Sequence, residues 1–309
     1  MIMCMAATPA RVQRPWYHPF ALVRRLVLYS LIGYVVICVY LFSIQTSLTY
    51  AEFDHPLSMG EATEQAKASG LEPWAQGYIK YPGNELEAPP LSGYVRPDFI
   101  KPSPRGTIVV FHGNGGAAFD RGNYAEAFAR RGFRTFLYEY PGYGGRPGRP
   151  SEASIVPDAQ ALVRSLDQEG YGPVYVWGES LGAGVAAAVC AEASLPIHGV
   201  VLLTPWDNIA NVGQSFYPWF PVRLLMIDKY DSVANLQKFA HPICVVRSDQ
   251  DEVIPPPLSL NLFAHLPEPK KMIVHQDSGH NSWPSSPELP WWDEALDFIA
   301  PRQVSSLQP

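Results

Sequence analysis

Cysteine is scarce in this chain: there are four, with no C-x-x-C and no Cys/His grouping at zinc-ligand spacing. That argues against a disulfide scaffold and against a structural zinc site. Cys4 and Cys38 lie before or inside an apolar N-terminal run, which leaves Cys190 and Cys244, expected as two buried free thiols. Basic residues are also few, 23 Lys and Arg against 29 Asp and Glu, for a net charge of −6. Apart from a short N-terminal cluster they are scattered, so nothing resembles the basic stripe that a nucleic-acid backbone requires. Long charged tracts, low-complexity segments and internal repeats are likewise missing. The 31 prolines and 24 glycines fall between apolar runs, where turns belong. The 309 residues allow one large α/β domain with an appendage.

What the chain does have, first, is an uncharged run from Leu26 to Ile44. As a helix rising about 1.5 Å per residue it roughly matches a bilayer core of about 30 Å. Arg11, Arg14, Arg24 and Arg25 precede it; Glu52, Asp54, Glu61 and Glu64 follow it, and the next basic residue is Lys67. The excess of positive charge before the run predicts a single-pass membrane protein with a cytoplasmic N-terminus and an extracytoplasmic main domain. Trp16 and Tyr17 suit the cytoplasmic edge of such a span. A cleaved signal peptide is the main alternative, but its apolar region is usually about 7–15 residues and ends at a small-x-small site, which Gln45-Thr-Ser-Leu48 does not supply.

Beyond the span, Gly60–Ser69 is helix-compatible, and Gly77–Tyr81 and Leu91–Arg96 read as strands around the Pro82-Gly-Asn84 turn. Thr107–Phe111 then begins a series of short, apolar, β-branched runs that continues at 134–138, 174–177, 200–203, 243–246 and 272–274. Runs of this kind suit strands buried on both faces of a parallel sheet. Helical segments alternate with them at 124–131, 152–166, 181–193, 258–265 and 292–299, which predicts an α/β fold, a mostly parallel sheet with helices on both faces. Ligands bind such sheets beyond the carboxyl ends of the strands. The chain divides into an N-terminal segment 1–25, a span 26–44, an entry segment 45–76, a catalytic domain 77–300 and a tail 301–309.

Directly after the third of these runs comes Gly178-Glu-Ser-Leu-Gly182, a G-x-S-x-G followed by a small-residue helix. This strand-turn-helix setting lifts a serine hydroxyl to the sheet edge, with the glycines relieving close backbone contact, and makes Ser180 the candidate nucleophile. A serine needs a base and a group that orients the base, in chain order Ser, acid, His. The loop after 243–246 offers Asp251, with Asp249 as the alternative. Asp251 is preferred because it precedes the Val-Ile-Pro leading into the next helix. His280, in Ser278-Gly-His-Asn281, is the candidate base. His275 competes from the end of a strand, where packing is the simpler role. His55, His198, His241 and His265 lie away from the strand ends. For a developing oxyanion, the loop His112-Gly-Asn-Gly-Gly116 and the residue after the nucleophile offer the backbone N–H groups of Asn114 and Leu181. No cofactor or metal is required by this set.

Phe111–Gly116, Tyr140-Pro-Gly-Tyr-Gly-Gly145 with Pro150-Ser-Glu152, Gly178–Gly182, Asp251–Pro255 and Gly279–Asn281 occur in an order that resembles the membrane-anchored α/β-hydrolase domain proteins. That family includes acyl-protein thioesterases, lysophospholipases and monoacylglycerol lipases. The resemblance covers about Gly77 to Ile299 and implies the α/β-hydrolase fold, a Ser180–Asp251–His280 triad and oxyanion donors at Asn114 and Leu181. Arg247-Ser248 stands where the family usually has His-Gly before the acid, and Pro141 where it usually has Arg.

Between the run ending at Leu203 and Pro242 lies an insertion, about 205–241, long enough for a small cap. Its Trp206, Phe216 and Trp219 could line an acyl pocket or pack the cap on the body. The expected activity is hydrolysis of a carboxylic ester or thioester, with a small acyl ester, a lipid or an acylated protein as substrate. A serine peptidase of the same fold and a non-catalytic anchored binding protein are the alternatives.

Overall fold

The computed structural model describes residues 19–51, 57–74, 93–103 and 105–302. Gly77–Tyr81, one of the expected early strands, lies outside them. The chain divides into two units, Met1–Ile44 and Gln45–Pro309.

Helix α1, Pro19–Thr49, has no acidic residue in its first turn and no basic one in its last. Its stretch Phe20–Thr49 is 30 residues, long and apolar enough by length and composition to cross a membrane. The helix runs past Ile44, the expected end of the apolar run.

The second unit is built on an eight-stranded sheet among the described residues: β1 (Glu72–Trp74), β2 (Gly93–Val95), β3 (Thr107–Phe111), β4 (Arg134–Tyr138), β5 (Val174–Glu179), β6 (Ile197–Leu203), β7 (Ile243–Ser248) and β8 (Lys270–His275). Their order is β1-β2-β4-β3-β5-β6-β7-β8. β2 is antiparallel to both β1 and β4, and the remaining neighbours are parallel. The sheet therefore begins before residue 77, inside the expected entry segment. This is an α/β-hydrolase fold, mostly parallel, as the alternation of apolar runs and helices predicts.

Period-two alternation sorts the strand side chains onto two cores. Val109 and Phe111 of β3 join one with Val176 of β5 and Val245 of β7. Ile108 and Val110 join the other with Trp177 and Val246. Helices α4 (Glu152–Gln168), α5 (Leu181–Cys190) and α9 (Pro256–His265) cover the first face through Ile155, Val185 and Leu262. α2 (Met59–Ala68), α3 (Gly122–Ala129) and α10 (Trp291–Ile299) cover the second through Ala62, Phe128 and Leu296. There the aromatic side chains interlock, Trp177 stacking on Trp292 with centroids 5.2 Å apart.

The helix ends follow from sequence. Ser58 caps α2 and Ser151 caps α4, each accepting from the backbone N–H three residues on, in capping boxes. α5 is so rich in glycine, alanine and valine that all ten of its residues are buried. It ends at Cys190, short of the expected Ala193. Cys190 and Cys244 are free and buried, as expected. Burial raises the Cys190 thiol and pushes the Cys244 thiol up to about 12, so both stay protonated near neutrality.

One buried ion pair braces the sheet to α4. Arg146 reaches Asp158 at 2.6 Å with both side chains almost fully enclosed, and donates to the Glu139 carbonyl at 2.7 Å. The Tyr138 hydroxyl donates to the same carboxylate. Such a pair is tolerable inside a protein because further hydrogen bonds, here to the Glu139 carbonyl and from the Tyr138 hydroxyl, offset part of the cost of burying its charges. The expected cap contains three short helices, α6 (Ile209–Phe216), α7 (Val222–Leu225) and α8 (Ser232–Leu236).

Candidate active site

The carboxyl ends of β3, β5, β7 and β8 each feed a loop that carries one part of the candidate site. At the end of β5 the chain turns through Ser180, whose φ is 52° and ψ −112°. A non-glycine residue pays for this left-handed backbone with strain. The turn brings backbone against backbone: a Cβ on Gly178 would lie 2.2 Å from the Gly182 carbonyl oxygen, and one on Gly182 would lie 1.9 Å from that of Phe111. No side chain fits at either position. The Ser180 N–H donates to the Leu203 carbonyl of β6 at 2.9 Å, fixing the turn to the neighbouring strand.

The Ser180 hydroxyl meets an imidazole there. His280 Nε2 lies 3.0 Å from Ser180 Oγ. Its Nδ1 lies 2.9 Å and 3.0 Å from the two carboxylate oxygens of Asp251. All three residues are buried. Asp251 is itself held: its Oδ1 accepts the backbone N–H groups of Val253 at 3.0 Å and Ile254 at 2.7 Å. On the other side, Glu252 accepts the His280 backbone N–H at 2.9 Å, and that bond, first among its influences, holds the Glu252 carboxyl below the usual carboxylate range. A hydroxyl bonded to one nitrogen of a histidine whose other nitrogen faces a carboxylate can pass its proton to the imidazole as it attacks.

His112–Gly116, after β3, is held largely by its carbonyls. The Tyr140 hydroxyl donates to the His112 carbonyl at 2.7 Å, and that of Tyr143 to the Asn114 carbonyl at 3.2 Å. His112 is fully buried, with Nε2 3.1 Å from Glu139 Oε1. With its carbonyls bound on one side, the loop can present N–H groups on the other. Leu181, the first residue of α5, lies at a helix N-terminus, where N–H groups have no intrahelical acceptor. The sequence contains both tyrosines in the Tyr140-Pro-Gly-Tyr143 motif, but their bonds to another strand's loop carry no local signal.

The other expectations separate cleanly. Asp249 lies away from the imidazole, its Oδ1 3.4 Å from the Ser278 backbone N–H. His275 is buried edge-on against Trp291 with centroids 4.7 Å apart, and burial lowers its pKa, which suits packing. His198, His241 and His265 are exposed, and His55 is outside the described residues. Of the aromatic trio suggested for an acyl pocket, Trp206 is buried beside Gly184 of α5, whereas Phe216 and Trp219 are 55% and 84% exposed. An enclosed pocket wall needs side chains facing one volume, and these three sit in different surroundings. Among the described residues no group of three or more His, Cys, Asp or Glu is disposed to hold a metal.

Comparison with known proteins bears on the fold and on one stretch of the chain. The family model described as serine aminopeptidase, S33, matches residues 102–227, a stretch that includes the His112–Gly116 loop and Ser180 but ends before Asp251 and His280. An uncharacterized protein of Mycobacterium tuberculosis is 37% identical over 185 residues, 59% of this chain and 64% of its own length. The lysophosphatidylserine lipase ABHD12 of Macaca fascicularis is 27% identical over 219 residues, 61% of this chain and 54% of that protein. The chain thus spans between half and two thirds of the length of these curated relatives. Among solved structures, Est1E of Butyrivibrio proteoclasticus with bound ferulic acid superposes with a TM-score of 0.54 at 17% identity, over 64% of this chain and 90% of that one. TT1662 of Thermus thermophilus gives 0.53 at 21%, over 72% and 97%. The strand order, the serine elbow and these likenesses together give the chain an α/β-hydrolase fold, similar over residues 102–227 to serine hydrolases.

Proposed function

We propose that the protein is a membrane-anchored serine hydrolase that cleaves a carboxylic ester or thioester of a lipid or acylated substrate. The observation that carries this reading is the 3.0 Å approach of His280 Nε2 to Ser180 Oγ, with Asp251 on Nδ1. Ser180 Oγ attacks the acyl carbon as its proton passes to His280 Nε2, and Asp251 steadies the resulting imidazolium. The tetrahedral oxyanion is taken by the N–H groups of Asn114 and Leu181. Collapse expels the alcohol or thiol, which receives the proton from His280 and leaves an acyl-serine. Water, deprotonated by the same imidazole, then attacks the acyl carbon and frees the acid and Ser180.

The substrate class draws support from the lipase among the relatives and from the cap. Phe216, Trp219, Leu224 and Ile227 are exposed, in a segment whose Ile227 N–H donates to Gln45 Oε1 at 2.8 Å. Exposed apolar side chains on a cap suit a substrate with an apolar acyl chain. An active-site fluorophosphonate probe and a series of esters, thioesters and peptide amides of increasing acyl length test the reading. Labelling is expected, together with turnover of esters or thioesters. Preferred cleavage of N-terminal peptide bonds would instead favour the peptidase reading that the name of the family model suggests, and an unlabelled, inactive chain would overturn both.

For the anchor, the full-length protein is expected to remain with membranes through high salt and alkaline carbonate and to dissolve only in detergent, its N-terminus on the cytoplasmic side. A mature chain beginning shortly after Ile44 would show a cleaved signal peptide instead.

A further inference from the structure

Acyl transfer at Ser180 depends on the distance between two separate pieces of chain: the turn that bears the nucleophile and the loop His112–Gly116 that faces it. One guanidinium spans them. Arg121, at the end of the 3₁₀ turn Ala118–Arg121, donates from Nε to Glu179 Oε2 at 3.0 Å and from Nη2 to the Gly115 carbonyl at 3.1 Å. Glu179 is the residue immediately before Ser180. Its Oε2 also accepts the hydroxyl of Tyr124, from α3, at 3.0 Å. Both charged side chains are largely enclosed, 18% and 15% exposed.

We propose that Arg121 and Glu179 are positioning residues, a strut that sets the spacing between the Ser180 hydroxyl and the N–H groups of the facing loop. The inference rests on the serine-hydrolase reading and adds to it a role for two residues outside the triad. Three observations carry it. The loop has glycine at 113, 115 and 116, and a Cβ on Gly115 would meet nothing within 4 Å, so side-chain packing does not hold that peptide. The guanidinium bond is a hold it does have. Next, the two bonds leave different nitrogens of one rigid plane, so they fix an angle as well as a length; an ammonium at the same place could not do both. Last, a carboxylate beside the nucleophile would oppose the negative charge that develops on the substrate oxygen, and the paired guanidinium cancels it.

The test compares the full-length parent with Glu179→Met, Arg121→Lys and Arg121→Ala, measuring kcat and KM separately on a short-chain ester. The expected result is a kcat lower by about 10- to 100-fold in each variant, the range that accompanies misplacing a reacting group by up to an ångström. KM should stay within about twofold, because the strut touches no part of the substrate. Millimolar guanidinium should restore part of the activity of Arg121→Ala, and methylammonium should not, a distinction that a loss of folding would not reproduce. In Arg121→Ala the uncancelled Glu179 adds to the loss, so Arg121→Ala combined with Glu179→Met should be less damaging than the product of the single effects. Arg121 Nε and the Tyr124 hydroxyl share one Glu179 oxygen, which a glutamine would still supply; Glu179→Met keeps the length of the side chain, removes that acceptor, and remains informative if Arg121→Ala fails to fold. A kcat within about twofold of the parent in folded Glu179→Met overturns the strut, as does an Arg121→Ala loss that guanidinium leaves untouched. A parent chain that neither labels with fluorophosphonate nor turns over ester overturns the hydrolase reading itself.

Discussion

Ser180→Ala is expected to abolish fluorophosphonate labelling and to lower ester turnover by about 10⁶-fold, the scale seen when a serine protease loses its nucleophile. The fold should be untouched. Only one oxygen is removed, and the bond that fixes the turn, from the Ser180 backbone N–H to Leu203, does not involve it. His280→Ala should have nearly the same effect, because without Nε2 at 3.0 Å the hydroxyl keeps its proton. His275→Ala should leave kcat within an order of magnitude, since that ring packs on Trp291. The measurement is kcat on a short-chain ester beside a far-ultraviolet dichroism spectrum. Comparable turnover by parent and Ser180→Ala would end the acyl-serine mechanism.

Asp251→Asn should cost about 10⁴-fold in kcat, as the equivalent change does in serine proteases. The bonding around Asp251 explains why so small a change is so damaging. Its Oδ1 is already committed to the N–H groups of Val253 and Ile254, so an asparagine keeps its oxygen there and turns its NH₂ toward His280. Nδ1 must then accept, the ring proton moves to Nε2, and Nε2 can no longer take the serine proton. Asp249→Asn should lower kcat less than about tenfold, because that carboxylate has only a long bond to the Ser278 N–H near the site. Equal losses from the two substitutions would mean that the loop, and not one carboxylate, had been disturbed.

The strands at 107–111 and 134–138 were legible to the residue. An unbroken β-branched and aromatic run bounded by turn residues leaves one solution when both faces of a sheet must be covered. Ser180, Asp251 and His280 were legible for a related reason: each follows such a run, and the ends of parallel strands converge. Other parts of the site were not. Arg121 and Glu179 are 58 positions apart, and Tyr140 reaches back 28 to the His112 carbonyl. Bonds of that length depend on which strands are neighbours, and local sequence is silent on it. The cap shows the same limit from another side. Trp206, Phe216 and Trp219 are alike in composition, yet one is buried on α5 and two face outward. The cap's three helices, of eight, four and five residues around Pro218 and Pro221, are too short for a helical period to register.

The turn at Ser180 bears on how the protein can change over time. A residue held at φ 52° costs on the order of 1–3 kcal/mol, a sizeable part of the roughly 5–15 kcal/mol by which a native protein is stable. Glycine in the same place would relax the backbone, so folding alone favours the loss of the serine. Stability and reactivity therefore pull this position in opposite directions. A strained serine flanked by glycines at which no other residue fits is thus a place where a change that steadied the fold would remove the proposed chemistry.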